Sequence, residues 1–533
     1  MRKQTKLVAV LSAASLLAIG ASMTAFAATP HWDQEDGEWV YLDRNGDKVA
    51  GEWKKSNGQW YYLDDNGYMA KDLLIEYNDN RYYVDANGVK VTNAWVSMDN
   101  DDYLDDEDVS TVWFYFDGNG KAVGYGSNEG KIKKVSYAGG NASGYFIFNS
   151  DGVMLSGWQK WGDDENLYYL GDENEGWART GWQYLDTDEE IFDEGDDNGD
   201  PYEEEEWFYF DSKGKAYVGN KQIGGRWYAF DKNGVMLEKW VYGLGTNTSA
   251  SNGSSSTMAD SATPGEAARY HEEGNGWRGK NWVLAYAQNG ADSYDADLYW
   301  FYLDSKGNPV LADDENSGKG VDYSDNINGT DRVVTAKSIK NKTYIFDDGG
   351  CMRTGLFYLD GVKKGSNKMN EGYYYFTEEE GSTEGQMIAN KKVTIDLDGE
   401  EETFYFDRTG KAYTNTVISG SLYSSNGALV TDFGDGSSYQ MVKISQILDD
   451  KYFTEKGKST EYWDAYVLIN GNGKIKKSGT VTDVDGYKVT VKDYIVTRKE
   501  DEDKNPVYEA DVKEGTYTKE DGTTVTWKYA VEK

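Results

Sequence analysis

The stretch from Trp207 to Trp240 contains one short pattern twice, and this repetition is what most constrains the fold. In each half an aromatic run, WFYF or WYAF, is followed by a turn sequence, DSKG or DKNG, and then by a short return segment. Asp and Asn hydrogen-bond their own backbone and Gly adopts a positive φ without strain, so each half predicts a β-hairpin closed by Gly214 or Gly234. A single hairpin cannot bury its aromatic face. Neighbouring hairpins are therefore expected to stack into a continuous core.

Related units occur along most of the chain. Near the N-terminus the turn glycines Gly46, Gly67 and Gly88 lie 21 residues apart. Further along, WFYFD or a close variant recurs with spacings of 94, 93 and 103 residues, starting at Trp113, Trp207, Trp300 and Thr403. Such periods predict an all-β fold, an elongated repeat solenoid of stacked β-hairpins with acidic loop insertions and a β-rich C-terminal cap or small domain.

The periods also predict the domain organisation. A signal peptide is expected at residues 1–27, because MRKQTK precedes an apolar run and an Ala-Phe-Ala cleavage sequence that ends at Ala27. Regular repeats are predicted at 32–98, three tripartite modules at 113–206, 207–299 and 300–402, a degraded fourth module at 403–436 and the β-rich region at 437–533. No later stretch approaches the roughly 20 apolar residues of a membrane span. We therefore expect an exported protein without membrane insertion.

The predicted mature chain is strongly acidic. Without Arg2, Lys3 and Lys6, 52 basic residues stand against 93 acidic ones, which gives a formal charge of −41. Such a surface repels nucleic acid and anionic lipid, so no nucleic-acid partner is expected. The acidic or polar segments Asp99 to Ser110, Asp193 to Glu206 and Thr246 to Thr257 lack apolar periodicity and are interpreted as solvated insertions.

Histidine and metal chemistry has little support in the sequence. The two histidines, His31 beside the predicted cleavage site and His271 in a charged segment interpreted as a loop, do not indicate a triad or a zinc site. Asp196, Asn198 and Asp200 alternate like the start of a calcium loop, but Pro201 stands where such a loop needs Gly. A solvated acidic loop is the favoured interpretation, and no metal is expected.

Other catalytic chemistry is equally weakly indicated. Cys351 stands where sister repeats have Val153 or Val235, so a small apolar core side chain is predicted rather than a reactive thiol. Among 93 acidic residues, a pair of carboxylates carries no signal for acid–base catalysis. We expect a non-enzymatic protein without cofactors. The alternative of a catalytic C-terminal region, beyond Ser437, stays open.

Two units, GEWKKSNGQWYYLDDNGYMA (Gly51 to Ala70) and KQIGGRWYAFDKNGVMLEKW (Lys221 to Trp240), resemble the cell-wall-binding repeats of Gram-positive surface proteins. That superfamily includes choline-binding modules and the glucan-binding repeats of glucosyltransferases. The resemblance covers at least residues 39 to 430. It implies a β-hairpin solenoid that attaches a secreted protein to wall polymers or to extracellular polysaccharide.

The resemblance also implies candidate ligand sites. In the choline-binding branch aromatic rings form a cage around a quaternary ammonium group, which cation–π attraction holds in place. Carried over by position, the candidate cages are Trp53 with Trp60 and Tyr82, Trp158 with Tyr168, and Trp240 with Trp227. A further GW pair ends at Trp182. Because flat rings beside carboxylates and amides also suit pyranose sugars, choline and sugar both stay open as ligands.

Two functions follow from these features. The first is a non-catalytic protein held non-covalently at the cell wall or cell surface, with wall teichoic acid or a surface polysaccharide as its partner. The alternative is an outward-facing adhesin or glucan-capture protein. Regular, uninterrupted repeats favour anchoring, whereas the acidic insertions after residue 98 favour the alternative.

Overall fold

The structure is a computed structural model. It describes residues 29–100, 103–104, 109–137, 140, 142–187, 190–192, 202–241, 269–287, 298–313, 317–323, 332–397, 399–431, 433 and 435–533. The predicted signal peptide, the possible calcium loop around Asp196 and the Ser-rich segment Thr246 to Thr257 lie outside these ranges. The chain divides into two compact units, Met1–Met258 with His271–Trp277, and Ala259–Tyr270 with Arg278–Lys533.

The first unit consists of antiparallel two-stranded hairpins in succession, as the repeat pattern predicts. Within the described ranges its regular elements are strands and one short 3-10 turn at Glu190–Phe192. The strands are β1 His31–Glu35, β2 Glu38–Leu42, β3 Glu52–Ser56, β4 Gln59–Leu63, β5 Leu73–Tyr77, β6 Asn80–Val84, β7 Ala94–Asp99, β8 Thr111–Phe116, β9 Lys131–Ser136, β10 Ser143–Phe148, β11 Trp158–Trp161, β12 Asn166–Tyr169, β13 Gly181–Asp186, β14 Glu205–Phe210, β15 Gly219–Ile223, β16 Arg226–Phe230 and β17 Lys239–Val241. Strand β18 is Arg269–His271.

The turn that closes each hairpin comes before the aromatic run, whereas the sequence analysis predicts that the hairpin is closed by the Asp/Asn-Gly turn after that run. Strands β3 and β4 are joined at Asn57 and Gly58, which both have positive φ (48° and 84°), as a tight two-residue hairpin turn requires. The Asp-x-Asn-Gly turn that ends at Gly67 instead follows β4. There the Asp64 carboxylate accepts hydrogen bonds from the backbone N–H groups of Asn66 and Tyr68 at 2.9 and 2.8 Å. The predicted return strand is reduced to a single bridge between Leu63 and Met69.

This short return segment links each hairpin to the one before it. The N–H of Met69 donates to the carbonyl of Trp39 at 2.8 Å, and the N–H of Lys90 donates to that of Trp60 at 2.8 Å. The same bond recurs along the unit in the pairs Ala122 to Arg81, Met154 to Trp113, Ala178 to Tyr145, Ala216 to Leu167 and Met236 to Trp207. We call the donor of this bond the return position. Successive hairpins are thus joined by backbone hydrogen bonds as well as by packing.

In the second strand of a hairpin, buried phenylalanine rings alternate with half-buried Trp and Tyr rings, as β8 shows. In β8, Phe114 and Phe116 are fully buried, whereas the intervening Trp113 and Tyr115 are half-buried. Successive side chains of a strand point to opposite faces, so the phenylalanines enter one packing layer and Trp113 and Tyr115 enter another. The aromatic run of β8 therefore packs into two different core clusters, one on each face of the strand.

The second unit contains further hairpins and two larger sheets. Its described strands are β19 Asn281–Tyr286, β20 Leu298–Leu303, β21 Gly318–Asp322, β22 Arg332–Ile339, β23 Lys342–Asp347, β24 Met352–Arg353, β25 Gly355–Asp360, β26 Lys363–Lys364, β27 Asn367–Lys368, β28 Gly372–Phe376, β29 Lys391–Leu397, β30 Glu400–Phe406, β31 Thr416–Ile418, β32 Ser421–Tyr423, β33 Gln440–Lys443, β34 Tyr452–Glu455, β35 Thr460–Trp463, β36 Tyr466–Ile469, β37 Gly479–Thr482, β38 Lys488–Lys492, β39 Ile495–Glu500, β40 Pro506–Thr518 and β41 Thr524–Glu532. A 3-10 turn spans Ile444–Gln446.

The larger sheets distinguish this unit from the hairpin row of the first. One sheet has the central order β24-β23-β22-β21-β25-β28, and β26 and β27 extend it from β22. The other has the order β32-β31-β34-β35-β41-β40-β39-β38-β37 and includes two parallel pairs, β31 with β34 and β35 with β41. The C-terminal region is therefore β-rich, as predicted. Its core contains fully buried Phe453, Val467 and Ile495.

Three single predictions have distinct outcomes. Cys351 is fully buried, which confirms a core side chain. The prediction of a loop at His271 is wrong, because His271 lies buried in β18 with its Nδ1 2.8 Å from the carbonyl oxygen of Gly276. The insertion after β7 is not wholly solvated either. Tyr103 packs with its ring centroid 5.5 Å from that of Phe114, which adds apolar contact that charge composition alone did not indicate.

Candidate ligand-binding site

A Trp on the first strand of a hairpin repeatedly connects that hairpin to the next. Trp53 faces Tyr62 directly across its own ladder, with ring centroids 5.2 Å apart, and lies 5.4 Å from Tyr82 of the following hairpin. Ring-to-ring distances of 4.8 to 5.4 Å to the following hairpin recur in Trp32–Tyr61, Trp53–Tyr82, Trp95–Phe146, Trp158–Phe208, Trp182–Tyr228 and, in the second unit, Trp282–Tyr344. Each such pair adds about 0.5–1.5 kcal/mol beyond area burial.

The rings of Trp53, Trp60 and Tyr82 converge on one point. The family resemblance groups the same three residues as a candidate cage. The ammonium group of Lys90 lies there, 5.3 Å from the centroid of Trp53, 5.5 Å from that of Trp60 and 5.4 Å from that of Tyr82. Trp53 and Tyr82 are half-buried, and Trp60 is 39% exposed. We call these three rings the Lys90 cage. Their geometry is that of an aromatic site for a cation.

Two hydrogen bonds fix Lys90 at the cage. The side-chain ammonium donates to the backbone carbonyl of Asn119 at 3.0 Å, and the backbone N–H of Lys90 forms the return-position bond to the carbonyl of Trp60. Burial lowers the pKa of the Lys90 ammonium, while the charge of Asp117 acts in the opposite direction. The cage thus removes water from the cation, and ring faces and one carbonyl replace it.

A second cluster of the first unit has the same design with an uncharged side chain at the return position. Trp182 lies 6.1 Å from Trp207 and 4.8 Å from Tyr228, and Met236 packs in the same cluster. We call Trp182, Trp207 and Tyr228 the Met236 cage. Trp207 is 40% exposed. The Trp207 ring is therefore accessible to solvent, whereas Met236 is buried in the same cluster as Trp182 and Tyr228.

The second unit contains a third cluster of this kind. Trp282 lies 6.3 Å from Trp300 and 4.8 Å from Tyr344, and Met352 packs against them. We call these three rings the Met352 cage. The indole N–H of Trp300 donates to the Glu384 carboxylate at 3.1 Å. A carboxylate therefore lies beside the Trp300 ring of this cluster.

Part of the chain matches a known protein family. Residues 49–95, which contain the whole Lys90 cage, match the family described as the choline-binding repeat. The matched segment contains the hairpins β3–β4 and β5–β6 and the turns that follow them.

A curated relative extends the similarity beyond the matched segment. The chain is 27% identical over 319 residues to Glucosyltransferase-S of Streptococcus mutans, a match that covers 59% of this chain and 19% of that protein. The chain therefore spans about a fifth of the length of this relative. Among solved structures, CbpJ of Streptococcus pneumoniae is 19% identical with a TM-score of 0.33, and covers 72% of this chain and 100% of its own. Choline-binding protein F of the same species is 18% identical with a TM-score of 0.31, covering 73% of this chain and 100% of its own.

One candidate pair from the sequence analysis is not brought together. Trp158 lies opposite Tyr169 in the ladder, with ring centroids 4.9 Å apart, so the neighbouring Tyr168 points to the other face. Tyr168 is only 8% exposed and packs with Leu170. Trp158 instead contacts Phe208 at 4.8 Å, and its indole N–H donates to the carbonyl of Asp186 at 3.0 Å. A binding role for Trp158 or Tyr168 stays a prediction, but they do not share one cage.

The remaining candidates differ in accessibility. Trp240 lies in β17 and is 7% exposed, so its ring belongs to the interior. Trp227 lies in β16 opposite Gln222 and is half-buried. Whether either residue binds a ligand stays a prediction.

Sequence reasoning missed several rings of these clusters. Trp207 and Trp300 begin WFYFD and WFYLD, and both occupy the position that Trp60 occupies in WYYLD. Treating the first aromatic residue of each run as equivalent, whatever follows it, identifies both. Tyr228 and Tyr344 then follow as the rings of the next hairpin.

Other kinds of site find little support in the described parts of the chain. No group of three or more His, Cys, Asp or Glu side chains suited to a metal ion occurs among the described residues. In those same ranges, no helix has the length and apolar character needed to cross a bilayer.

Proposed function

We propose that this chain is a non-catalytic, exported protein that binds the Gram-positive cell surface non-covalently, through aromatic cages repeated along its hairpins. The proposed ligand is the choline group of a wall teichoic acid. Quaternary ammonium groups suit such cages because cation–π attraction acts while little hydration has to be removed.

The observation that carries this proposal is the cation already seated in the Lys90 cage. Three rings at 5.3 to 5.5 Å from one ammonium nitrogen form a site whose size and electrostatics accept a cationic group. The Met236 cage and the Met352 cage repeat this pattern of paired rings, with a Met side chain packed against the rings where the Lys90 cage has a lysine. Both are candidates for an external ligand.

Repetition supports attachment through weak sites. A single cation–π contact contributes about 0.5–2 kcal/mol, so one cage binds only weakly. Linked sites on one polymer raise the apparent affinity by about 10²–10⁴-fold without any new kind of contact. Several cages on one chain therefore suit a ligand that itself repeats, as a wall polymer does.

A second candidate function is capture of glucan, favoured by one specific surface. Tyr184 and Trp207 are cross-strand partners with ring centroids 5.1 Å apart, and they are 50% and 40% exposed. Adjacent exposed rings offer flat apolar faces to pyranose C–H groups. The similarity to Glucosyltransferase-S is consistent with this candidate.

Co-sedimentation separates the two functions. The purified chain is mixed with Gram-positive cell walls, with and without excess free choline, and in parallel with insoluble α-glucan. Wall binding that choline releases supports the first function. Binding to glucan alone, unaffected by choline, contradicts it and supports the second.

Two substitutions make this experiment sharper. Trp207→Ala removes a ring shared by the Met236 cage and the Tyr184 surface, so we expect weaker binding to either ligand. Tyr184→Ala leaves the cage intact, so it should weaken glucan binding but not wall binding. If Tyr184→Ala and Trp207→Ala reduce choline-sensitive wall binding equally, the Met236 cage is not the site.

A further inference from the structure

Lys90 occupies its cage as a ligand does. Its ammonium nitrogen is close to equidistant from three ring centroids, at 5.3, 5.4 and 5.5 Å. A cation over one ring is common on protein surfaces, whereas three rings around one cation are typical of a recognition site. The position that an external ammonium group needs is therefore filled by the chain itself.

The charge of this occupant is not required by the fold. The return position makes the same backbone bond with Met69, Ala122, Met154 and Met236 as with Lys90. Met69 packs against Trp32 and Tyr61, rings equivalent to Trp53 and Tyr82, and closes that cluster without a charge. The return position therefore does not need a charged side chain for the backbone bond, and the lysine at position 90 calls for another explanation.

A second lysine provides an internal comparison. The ammonium of Lys55 lies 5.7 Å from the Trp60 ring, on a side chain that is exposed. Lys90 is half-buried, and its ammonium is fixed by the carbonyl of Asn119 at 3.0 Å. Both lysines bring a positive charge to Trp60, but only Lys90 also lies over Trp53 and Tyr82 in the described structure.

We propose that Lys90 is a built-in competitor for the Lys90 cage, which admits a quaternary ammonium ligand only when the lysine side chain leaves it. This inference rests on the proposed choline-binding function and adds its specificity determinant. A ligand that binds only the vacated state has its apparent affinity reduced by the fraction of molecules in that state. The matched segment 49–95 therefore contains an aromatic cage that is self-occupied, and the uncharged cages bind first.

The test compares choline binding to the full chain, to Lys90→Ala and to Lys55→Ala by titration calorimetry and tryptophan fluorescence. Alanine is the native residue at the equivalent position 122, so the fold is expected to accept it. We expect Lys90→Ala to gain one choline site, or to bind there roughly tenfold more tightly, because no lysine has to be displaced. Lys55→Ala should behave like the unmodified chain.

A second measurement is independent of any ligand. With ¹³C-labelled lysine, the ε-methylene signal that disappears in Lys90→Ala should be shifted upfield in the unmodified chain, because ring currents act above an aromatic face. A signal at the ordinary position of exposed lysines overturns the inference, since Lys90 would then not occupy the cage.

The outcomes also separate this inference from the proposed function. If the unmodified chain binds choline and Lys90→Ala binds it identically, the competitor role is wrong and the proposed function stands. If only Lys90→Ala binds choline, the competitor role is correct and native choline binding is wrong. If neither binds choline, both are wrong. A gain in Lys55→Ala equal to that in Lys90→Ala indicates a general charge effect and overturns the competitor role.

Discussion

The ring of Trp182 lies 4.8 Å from the ring of Tyr228, although the two residues belong to successive hairpins. Trp182 also contacts Tyr209 across its own ladder at 5.0 Å. One side chain therefore carries packing within a hairpin and packing between hairpins. Loss of this side chain should affect the first unit more than loss of a ring that serves only one ladder.

We expect Trp182→Ala to lower the free energy of unfolding of the first unit by about 2–4 kcal/mol, because the half-buried ring leaves a cavity between hairpins. Tyr184→Ala is the matched control. Its ring is 50% exposed on the same strand, so a loss below about 1 kcal/mol is expected. Urea midpoints followed by circular dichroism check this. Equal midpoints for the two variants would falsify the joint role of Trp182.

Glycine substitutions test the crossing between hairpins. Gly214 has φ +90°, and an added Cβ would overlap the Cβ of Ala178 on the preceding return segment. Gly37 has the same φ of +90°, but an added Cβ meets nothing within 4 Å. We expect Gly37→Ala to cost about 1 kcal/mol through backbone strain alone. Gly214→Ala should cost at least about 1 kcal/mol more, measured as thermal midpoints, since steric overlap adds to strain.

The carboxylate of Asp64 tests the turn after each hairpin. Asp64→Ala removes the acceptor of two backbone hydrogen bonds and should lower stability by about 1–2 kcal/mol. Asp64→Asn keeps an acceptor oxygen, as native Asn149 does in the equivalent turn, where it accepts from Asp151 and Val153. We therefore expect Asp64→Asn to melt within a few degrees of the unmodified chain. A large loss in Asp64→Asn would show that the charge, not the acceptor, stabilises the turn.

The pH dependence of stability can be traced to one carboxyl group. Burial, together with the negative charges of Glu203, Asp231 and Glu238, raises the pKa of Glu206 to about 7, although a hydrogen bond from the Glu203 backbone opposes the shift. The fold thus favours the protonated acid. The protonated Glu206 side chain stabilises the fold fully below about pH 4.3, the pKa of Glu in the unfolded chain. This stabilisation is lost as the pH rises through 7.

Replacement of Glu206 by Gln removes this dependence. Glu206→Gln should therefore be more stable than the unmodified chain at pH 8, by about 1–2 kcal/mol, and the difference should shrink towards pH 5. Glu205→Gln, at the exposed neighbouring position, should show no such change with pH. Thermal melts at pH 5, 6, 7 and 8 provide the comparison. A difference that does not vary with pH contradicts the assignment to Glu206.

The sequence was sufficient for the fold class and for the proximity of Trp53, Trp60 and Tyr82, and the reasons are physical. The aromatic runs and turn glycines repeat, so stacked hairpins follow from the need to cover their faces. The pattern did not show which of two successive turns closes the ladder. Asn57-Gly58 and the turn at Gly67 are both good turn sequences, and the ladder forms where both central residues have positive φ.

Side-chain direction limited the prediction of the site. Trp53, Trp60 and Tyr82 meet because the regular repeats keep equivalent strand positions in step. For Trp158 the prediction selected Tyr168 instead of Tyr169, and a shift of one residue places a ring on the opposite face. The occupation of the cage by Lys90 was also not predictable from spacing, since a flexible four-carbon side chain can point in many directions.

The return-position bond has a consequence for how such a chain changes in length. Lys90 bonds back to Trp60 in a compact repeat, and Ala216 bonds back to Leu167 in the same way although a long insertion lies between β13 and β14. The joint depends on the ends of strands, not on the number of residues between them. Residues can therefore be inserted between Asp186 and Glu205 while the return-position bond is kept, and Phe192 of this segment packs against Trp158 with ring centroids 5.0 Å apart. The repeats can therefore carry inserted segments between the two strands of a hairpin without loss of the bond to the preceding hairpin.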